Sequence, residues 1–175
     1  MDTRDRILKF NEIMPIHTRI DRQILLDMGF FTAPASTRFH GDYEGGLFDH
    51  SLKVTEMLVE LTDKLGLEWE RPESPYIVGM YHDLCKVDAY EWDPESEKYI
   101  YNPDQIIPGH AEKSIIILQH HLRLTDEEIA CIRWHMGAYE TDTKMWRYYD
   151  RAIRKYHNVL FTHTADMIAS KIIGV

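Results

Sequence analysis

The sequence predicts an all-α bundle carrying one small β-hairpin. Three observations predict it. Apolar residues recur at helical spacing along most of the chain. The boundaries carry helix-end chemistry: capping hydroxyls and carboxylates, a first-turn proline and trailing glycines. The exception is 89–101, where the period shortens and aromatic residues cluster on both sides of Asp93-Pro94-Glu95-Ser96.

The first helix is expected over 3–14, with Ile7, Phe10, Ile13 and Met14 on one face. A short second helix over 21–28 stops at Gly29, and 31–46 reads as loop, broken by Pro34, Gly41, Gly45 and Gly46. From 47 to 65, His50, Val54, Met57, Leu58, Leu61 and Leu65 share a face, and Gly66 suits the end. Ser74-Pro75 starts a helix that should run to about Val87. Next, Ala89-Tyr90-Glu91-Trp92 and Lys98-Tyr99-Ile100-Tyr101 suggest the hairpin, the alternative being an irregular loop. Helices resume over 109–122, 126–136, 144–156 and 159–173. Thr125 and Glu128 form a capping-box pattern. Asn158 suits an N-cap, followed by a buried stripe of Phe161, Ala165, Ile168 and Ile172. The whole span 1–175 reads as a single domain.

Composition narrows the function. Lys+Arg 20 against Asp+Glu 29 gives a charge of −9, which disfavours a long nucleic-acid partner. No apolar run approaches the ~18 residues of a membrane helix, and residues 1–6 hold no apolar signal core. Cys85 and Cys131 then read as reduced thiols of a cytoplasmic protein.

Ten histidines are the departure from average. His50 starts a buried stripe, and His82-Asp83 lies in an apolar helix. His110 opens a helix followed by Ile115, Ile116 and Ile117, while His135 ends one beside Trp134. Asp166 sits in the last apolar helix. A lone buried histidine is more often a hydrogen-bonded core residue than a ligand. Six buried polar groups spread over four or five helices, however, would each cost several kcal/mol unpartnered. A shared metal centre between facing helices resolves those costs together.

The order His50, His82-Asp83, His110, His135, Asp166 resembles the HD-domain superfamily of metal-dependent phosphohydrolases, specifically its six-ligand dinuclear branch. Gly45-Gly46-Leu47-Phe48-Asp49-His50-Ser51-Leu52 resembles the first-ligand segment, and His82-Asp83-Leu84-Cys85-Lys86 the His-Asp-x-Gly-Lys core. Gly109-His110-Ala111-Glu112-Lys113-Ser114 and Thr164-Ala165-Asp166 resemble later motifs, so the motif core covers about 39–170. Cys85 stands where glycine is usual. The run His40, Tyr43, Gly45, Gly46, Leu47 is also similar to the HD domain of 3′→5′ exoribonucleases.

The resemblance implies an HD-domain helical bundle. His50, His82, Asp83 and Asp166 would hold one metal, with Asp83 bridging to a second held by His110 and His135. Four imidazoles and two carboxylates suit Mn, Fe, Co, Ni or Zn. The implied catalytic residues are Asp83 and Lys86. His40, the Gly45 and Gly46 amides, Lys86 and Lys113 are the candidate substrate contacts. Trp134, Tyr139, Trp146, Tyr148 and Tyr149 are candidates to stack on a base, and the remaining histidines read as bystanders. The implied activity is phosphohydrolase or phosphodiesterase chemistry on a nucleotide or short oligonucleotide, short RNA included. The same ligand set also resembles diiron oxygenases of the myo-inositol oxygenase type. A third alternative is a non-catalytic metal-binding sensor.

Overall fold

A computed structural model describes residues 1–137 and 142–175. Among these, the chain forms helices α1 (Thr3–Ile13), α2 (Arg22–Asp27), α3 (Gly46–Leu65), α4 (Ser74–Tyr81), α5 (His110–Gln119), α6 (Asp126–Trp134), α7 (Trp146–Lys155) and α8 (Asn158–Met167). Strands β1 (Tyr90–Asp93) and β2 (Lys98–Tyr101) pair antiparallel, with Tyr90 opposite Tyr101 and Trp92 opposite Tyr99. The all-α reading with a hairpin therefore holds. No helix among the described residues is long and apolar enough to cross a membrane.

The local chemistry explains most boundaries. Asp2 caps α1 through the Asp5 amide, Asp21 caps α2 through the Gln23 amide, and Thr125–Glu128 closes a full capping box on α6. Gly66 ends α3 in the left-handed region at φ 63°, which its missing Cβ makes cheap.

Two departures matter for function. The helix expected from Ser74 to Val87 breaks at His82-Asp83: Asp83 has φ −104° and ψ 18°, and Leu84–Asp88 continues as a 3₁₀ turn. That break turns the Asp83 carboxylate inward, away from the regular helical track. The last helix also loosens, becoming π-helical over Ile168–Ile173. Its inward residues there are Val159, Thr162, Ala165 and Ala169, while Ile172 is 80% exposed, so the expected stripe shifts. Asn158 does not cap α8. Its side-chain amide donates instead to Glu68 O at 2.7 Å and to Glu127 Oε1 at 2.9 Å.

The core begins with an aromatic cluster. Phe10, Phe30, Phe31, Phe48 and Tyr81 have ring centroids 5.3–6.4 Å apart, mostly edge-to-face or tilted. This cluster packs α1 and the loop after α2 against α3 and α4. The Arg6 guanidinium then pins the start of α3 by a bidentate pair with Asp49, at 2.9 and 3.1 Å. Gly45 lies under that pair at φ 81°, and a Cβ there would fall 2.1 Å from Arg6 Cζ.

α3 and α4 approach closely at Gly79. A Cβ on Gly79 would stand 2.6 Å from Thr55 Cα, a backbone atom that cannot swing away. Gly→Ala in an open helix interior stabilises by roughly 1 kcal/mol. At Gly79 the overpacking cost of about 1–3 kcal/mol should reverse that sign. Gly79→Ala is expected to lower the urea midpoint, and an unchanged or raised midpoint would refute this close packing.

Candidate metal centre

Five elements converge on one buried point. His50 lies in the first turn of α3, and His82 and Asp83 sit where α4 breaks. His110 is the first residue of α5, His135 the C-cap of α6, and Asp166 lies in the last turn of α8. The structure brings all six sequence-predicted ligands together.

Backbone carbonyls set the imidazole orientations. His82 Nδ1 donates to Gly79 O at 2.9 Å and His135 Nδ1 to Ile132 O at 2.6 Å, each one helical turn back. His50 Nδ1 donates to Val175 O at 2.9 Å. A carbonyl can only accept, so Nδ1 carries the proton and Nε2 presents a lone pair. All three Nε2 atoms point at Asp83 and none has a hydrogen-bond partner.

Asp83 divides its two oxygens between the histidines. Oδ2 lies 3.7 Å from His50 Nε2 and 3.5 Å from His82 Nε2. Oδ1 lies 2.7 Å from His110 Nε2 and 3.3 Å from His135 Nε2, yet it too lacks a hydrogen-bond partner. Asp166 joins the first side, with Oδ1 3.1 Å from His50 Nε2. His110 differs from the other three: its Nδ1 faces Cys85 Sγ at 3.1 Å rather than a carbonyl. Cys85 thus touches a candidate ligand, a contact its motif position alone did not reveal.

Lone pairs and carboxylate oxygens facing one another in a dry interior repel unless a cation lies between them. Protons cannot fill every gap, because burial holds His82 down at about 3. At His135 burial also opposes protonation, but the adjacent Asp83 carboxylate outweighs it and raises the imidazole. Burial would raise the Asp83 carboxyl, yet Lys86 and the imidazoles hold it well below the usual carboxylate range. Asp166 is likewise held low, the His50 contact overcoming burial. The donor set therefore fits divalent metal ions, and His50, His82 and Asp83 already offer ligand atoms within 4.8 Å of one another.

A cavity of about 500 Å³ opens beside this point, lined by Asp83, His110 and Asp166 from the centre and by Lys86, Lys113 and His40. Lys86 Nζ sits 2.7 Å from Asp83 Oδ2, and this carboxylate raises its pKa against the effect of burial. Lys113 pairs with Asp88. The His40 ring lies 4.9 Å from that of His50, its Nδ1 is buried without a partner, and burial followed by repulsion from His50 and Lys86 lowers it to about 4.

Other expected contacts lie elsewhere. The Gly45 amide donates to Thr32 O at 2.8 Å and the Gly46 amide to Tyr43 O at 2.9 Å. Both donors are thus used within the loop, and neither glycine lines the cavity. Trp134, Trp146 and Tyr149 pack on one another, and Tyr148 stacks with Arg147, all away from the cavity lining. Tyr139 lies outside the described residues. Of the bystander histidines, His163 buttresses the site: its Nδ1 donates to His135 O at 2.7 Å. The cavity-lining aromatics Tyr90, Tyr101 and Phe39 were not recognised in the sequence as site residues. The sequence shows only two aromatic runs flanking a turn, with nothing to say which way their residues face.

Over 64 residues the chain is 38% identical to the dihydroneopterin 2′,3′-cyclic phosphate phosphodiesterase of Methanocaldococcus jannaschii. The likeness covers 33% of this chain and 24% of the relative, about a quarter of that protein's length. No solved structure matches. The HD domain family matches residues 47–167, a span that runs from the start of α3 to the end of α8 and encloses all six converging side chains. This chain belongs to the HD domain family.

Proposed function

We propose that the protein is a metal-dependent phosphohydrolase or phosphodiesterase that cleaves a phosphoester bond of a nucleotide or short oligonucleotide at a dinuclear centre. His50, His82, Asp83 and Asp166 would hold one divalent transition-metal ion, and Asp83, His110 and His135 the other. The observation that carries this reading is the divided Asp83 carboxylate, one oxygen turned to His50 and His82 and the other to His110 and His135. A single ion would need only one of those sets. The curated relative, a phosphodiesterase by name, supports the reaction class.

Ions of this kind, when bound, lower the pKa of a water to supply hydroxide near neutral pH and take up charge on the phosphoryl oxygens. The surrounding residues have separate tasks. Lys86, charged and anchored on Asp83, faces the cavity and can donate to a non-bridging oxygen or the departing oxygen. Neutral His40 supplies a hydrogen bond without adding charge. Lys113, oriented by Asp88, extends the positive wall. The Nδ1–carbonyl bonds keep His50, His82 and His135 in their ligating tautomer throughout a cycle.

The reading is tested by metal analysis of the purified protein together with a panel of nucleotides, cyclic nucleotides, dinucleotides and short RNA. Mn- or Co-supported release of phosphate or a phosphomonoester is expected. Iron-specific, O₂-dependent turnover with no phosphoester cleavage would overturn it in favour of an oxygenase. Divalent transition ions should also raise Tm, by an amount equivalent to about 2.7 kcal/mol at 100 times Kd, with EDTA reversing the shift. No shift with any ion would refute the centre. Asp83→Ala should abolish turnover and strip at least one metal while the far-UV circular dichroism persists, and retained activity would refute the bridging role. Lys86→Met should lower kcat by about 10²-fold at unchanged metal content. An unaltered kcat would confine Lys86 to neutralising Asp83.

A further inference from the structure

The cavity is far larger than the reacting phosphate needs. At about 500 Å³ it falls within the ordinary range for sites that enclose a whole small molecule. Its walls also differ in chemistry. The carboxylates that line it, Asp83 and Asp166, belong to the converging centre, whereas Lys86, Lys113 and Lys171 supply positive charge. Lys86 is paired with Asp83 and Lys113 with Asp88, so the cavity turns net positive, and able to hold an anion, once cations occupy the centre.

Part of the lining is aromatic, and two of those rings come from the hairpin. Tyr90 and Tyr101 are cross-strand partners at its base, with centroids 5.4 Å apart and planes at 57°. Both line the cavity, as do Phe39 and Ile107. Tyr101 is 72% exposed and Phe39, whose ring lies 5.7 Å from Lys171 Nζ, 75%, so both keep aromatic surface open to the outside. Burial pushes the half-buried Tyr90 phenol up to about 12, so it stays a neutral donor. Trp92 and Tyr99 form the next pair on the same hairpin face, but outside the cavity lining.

We propose that the Tyr90–Tyr101 pair seats a planar ring of the substrate, so that the site selects phosphoesters carrying an aromatic heterocycle over those built on sugar or alkyl groups alone. Exposed aromatic faces reward a stacking partner whatever its edge pattern. The phosphate would then lie toward Lys86 and the centre, with the ring toward the hairpin. A sugar phosphate would leave this wall bare. The proposal rests on the phosphohydrolase reading for its substrate class and extends it by naming the residues that set specificity.

The test compares two probes with no phosphoester bond to cleave: the methylenephosphonate analogues of GMP and of ribose 5-phosphate. Calorimetric titration into metal-loaded protein should show at least tenfold tighter binding of the ring-bearing probe, the low end of what base–aromatic stacking contributes. Tyr101→Ala should collapse that preference to within about threefold, and Tyr101→Phe, which keeps the ring face, should preserve it. Trp92→Ala removes the outer pair and weakens the hairpin without touching the cavity, and should leave the preference intact. Equal affinity of the wild type for both probes would overturn the proposal. So would a preference surviving in Tyr101→Ala, which would reassign the exposed rim to a protein partner, or one lost equally in Trp92→Ala, which would reduce the pair to hairpin stability. Because neither probe is turned over, the ring seat is decided even if the protein proves not to cleave phosphoesters.

Discussion

The structure is organised around a set of hydrogen bonds that face away from the site. His82 and His135 each donate Nδ1–H to a carbonyl one turn earlier, and His50 donates to the Val175 carbonyl. Each bond fixes a tautomer and aims the other nitrogen's lone pair at Asp83. The result, taken without a cation, is unfavourable: three buried imidazole acceptors and a carboxylate oxygen with no donor among them. Evolution tolerates such a cluster where something fills it, and the same bonds that create the frustration preorganise the site for a divalent ion.

Much of the fold serves that convergence. The aromatic cluster of Phe10, Phe30, Phe31, Phe48 and Tyr81 fixes α3 against α4, and the close contact at Gly79 lets the two helices approach enough for His50 and His82 to stack at 5.3 Å between centroids. The Arg6–Asp49 pair holds the residue next to His50, so α1, remote from the chemistry, sets where the first candidate ligand stands. The buried Glu128, gripped by Arg71 and Ser74, ties the starts of α4 and α6 together and hence the spacing of His82 and His135. His163 completes the brace from α8.

How much of this could be read from sequence follows from the range of the interactions. Helices, caps and the hairpin are local, and Thr125–Glu128 or Gly66 announce themselves within a few residues. The six converging side chains were legible because each placed an imidazole or carboxylate inside an apolar stretch, a local anomaly repeated on several helices. The break at Asp83 was hidden, since the sequence around it is a good helix former; tertiary demand on the carboxylate overrides propensity there. The loop glycines misled for a related reason. Gly45 and Gly46 resemble an anion-binding turn, but their amides answer to Thr32 and Tyr43, partners that only the folded loop supplies. The aromatic residues show the same limit. Trp134, Trp146 and Tyr149 were as conspicuous as Tyr90 and Tyr101, and only three-dimensional placement separates a packing cluster from a cavity wall.

The charge distribution bears on what can enter. A surface at −9 repels an extended polyanion over its whole length, because each added phosphate meets the global field. A small phosphoester meets only the cavity, where cations bound at the centre would add to Lys86, Lys113 and Lys171 and outweigh Asp83, Asp166 and the Asp88 that pairs with Lys113. Screening sharpens the contrast: at physiological salt the field decays over about 8 Å, so the local lysines dominate once a ligand is inside, while long-range repulsion still slows a polymer's approach. The same acidic exterior that argues against nucleic acid is therefore compatible with a site for small anions, and discrimination among those falls to the neutral walls. Among these the hairpin and Phe39 offer exposed aromatic faces, and the hairpin contributes none of the six converging ligands. Its residues can change with the substrate while the carbonyl-locked histidines stay as they are.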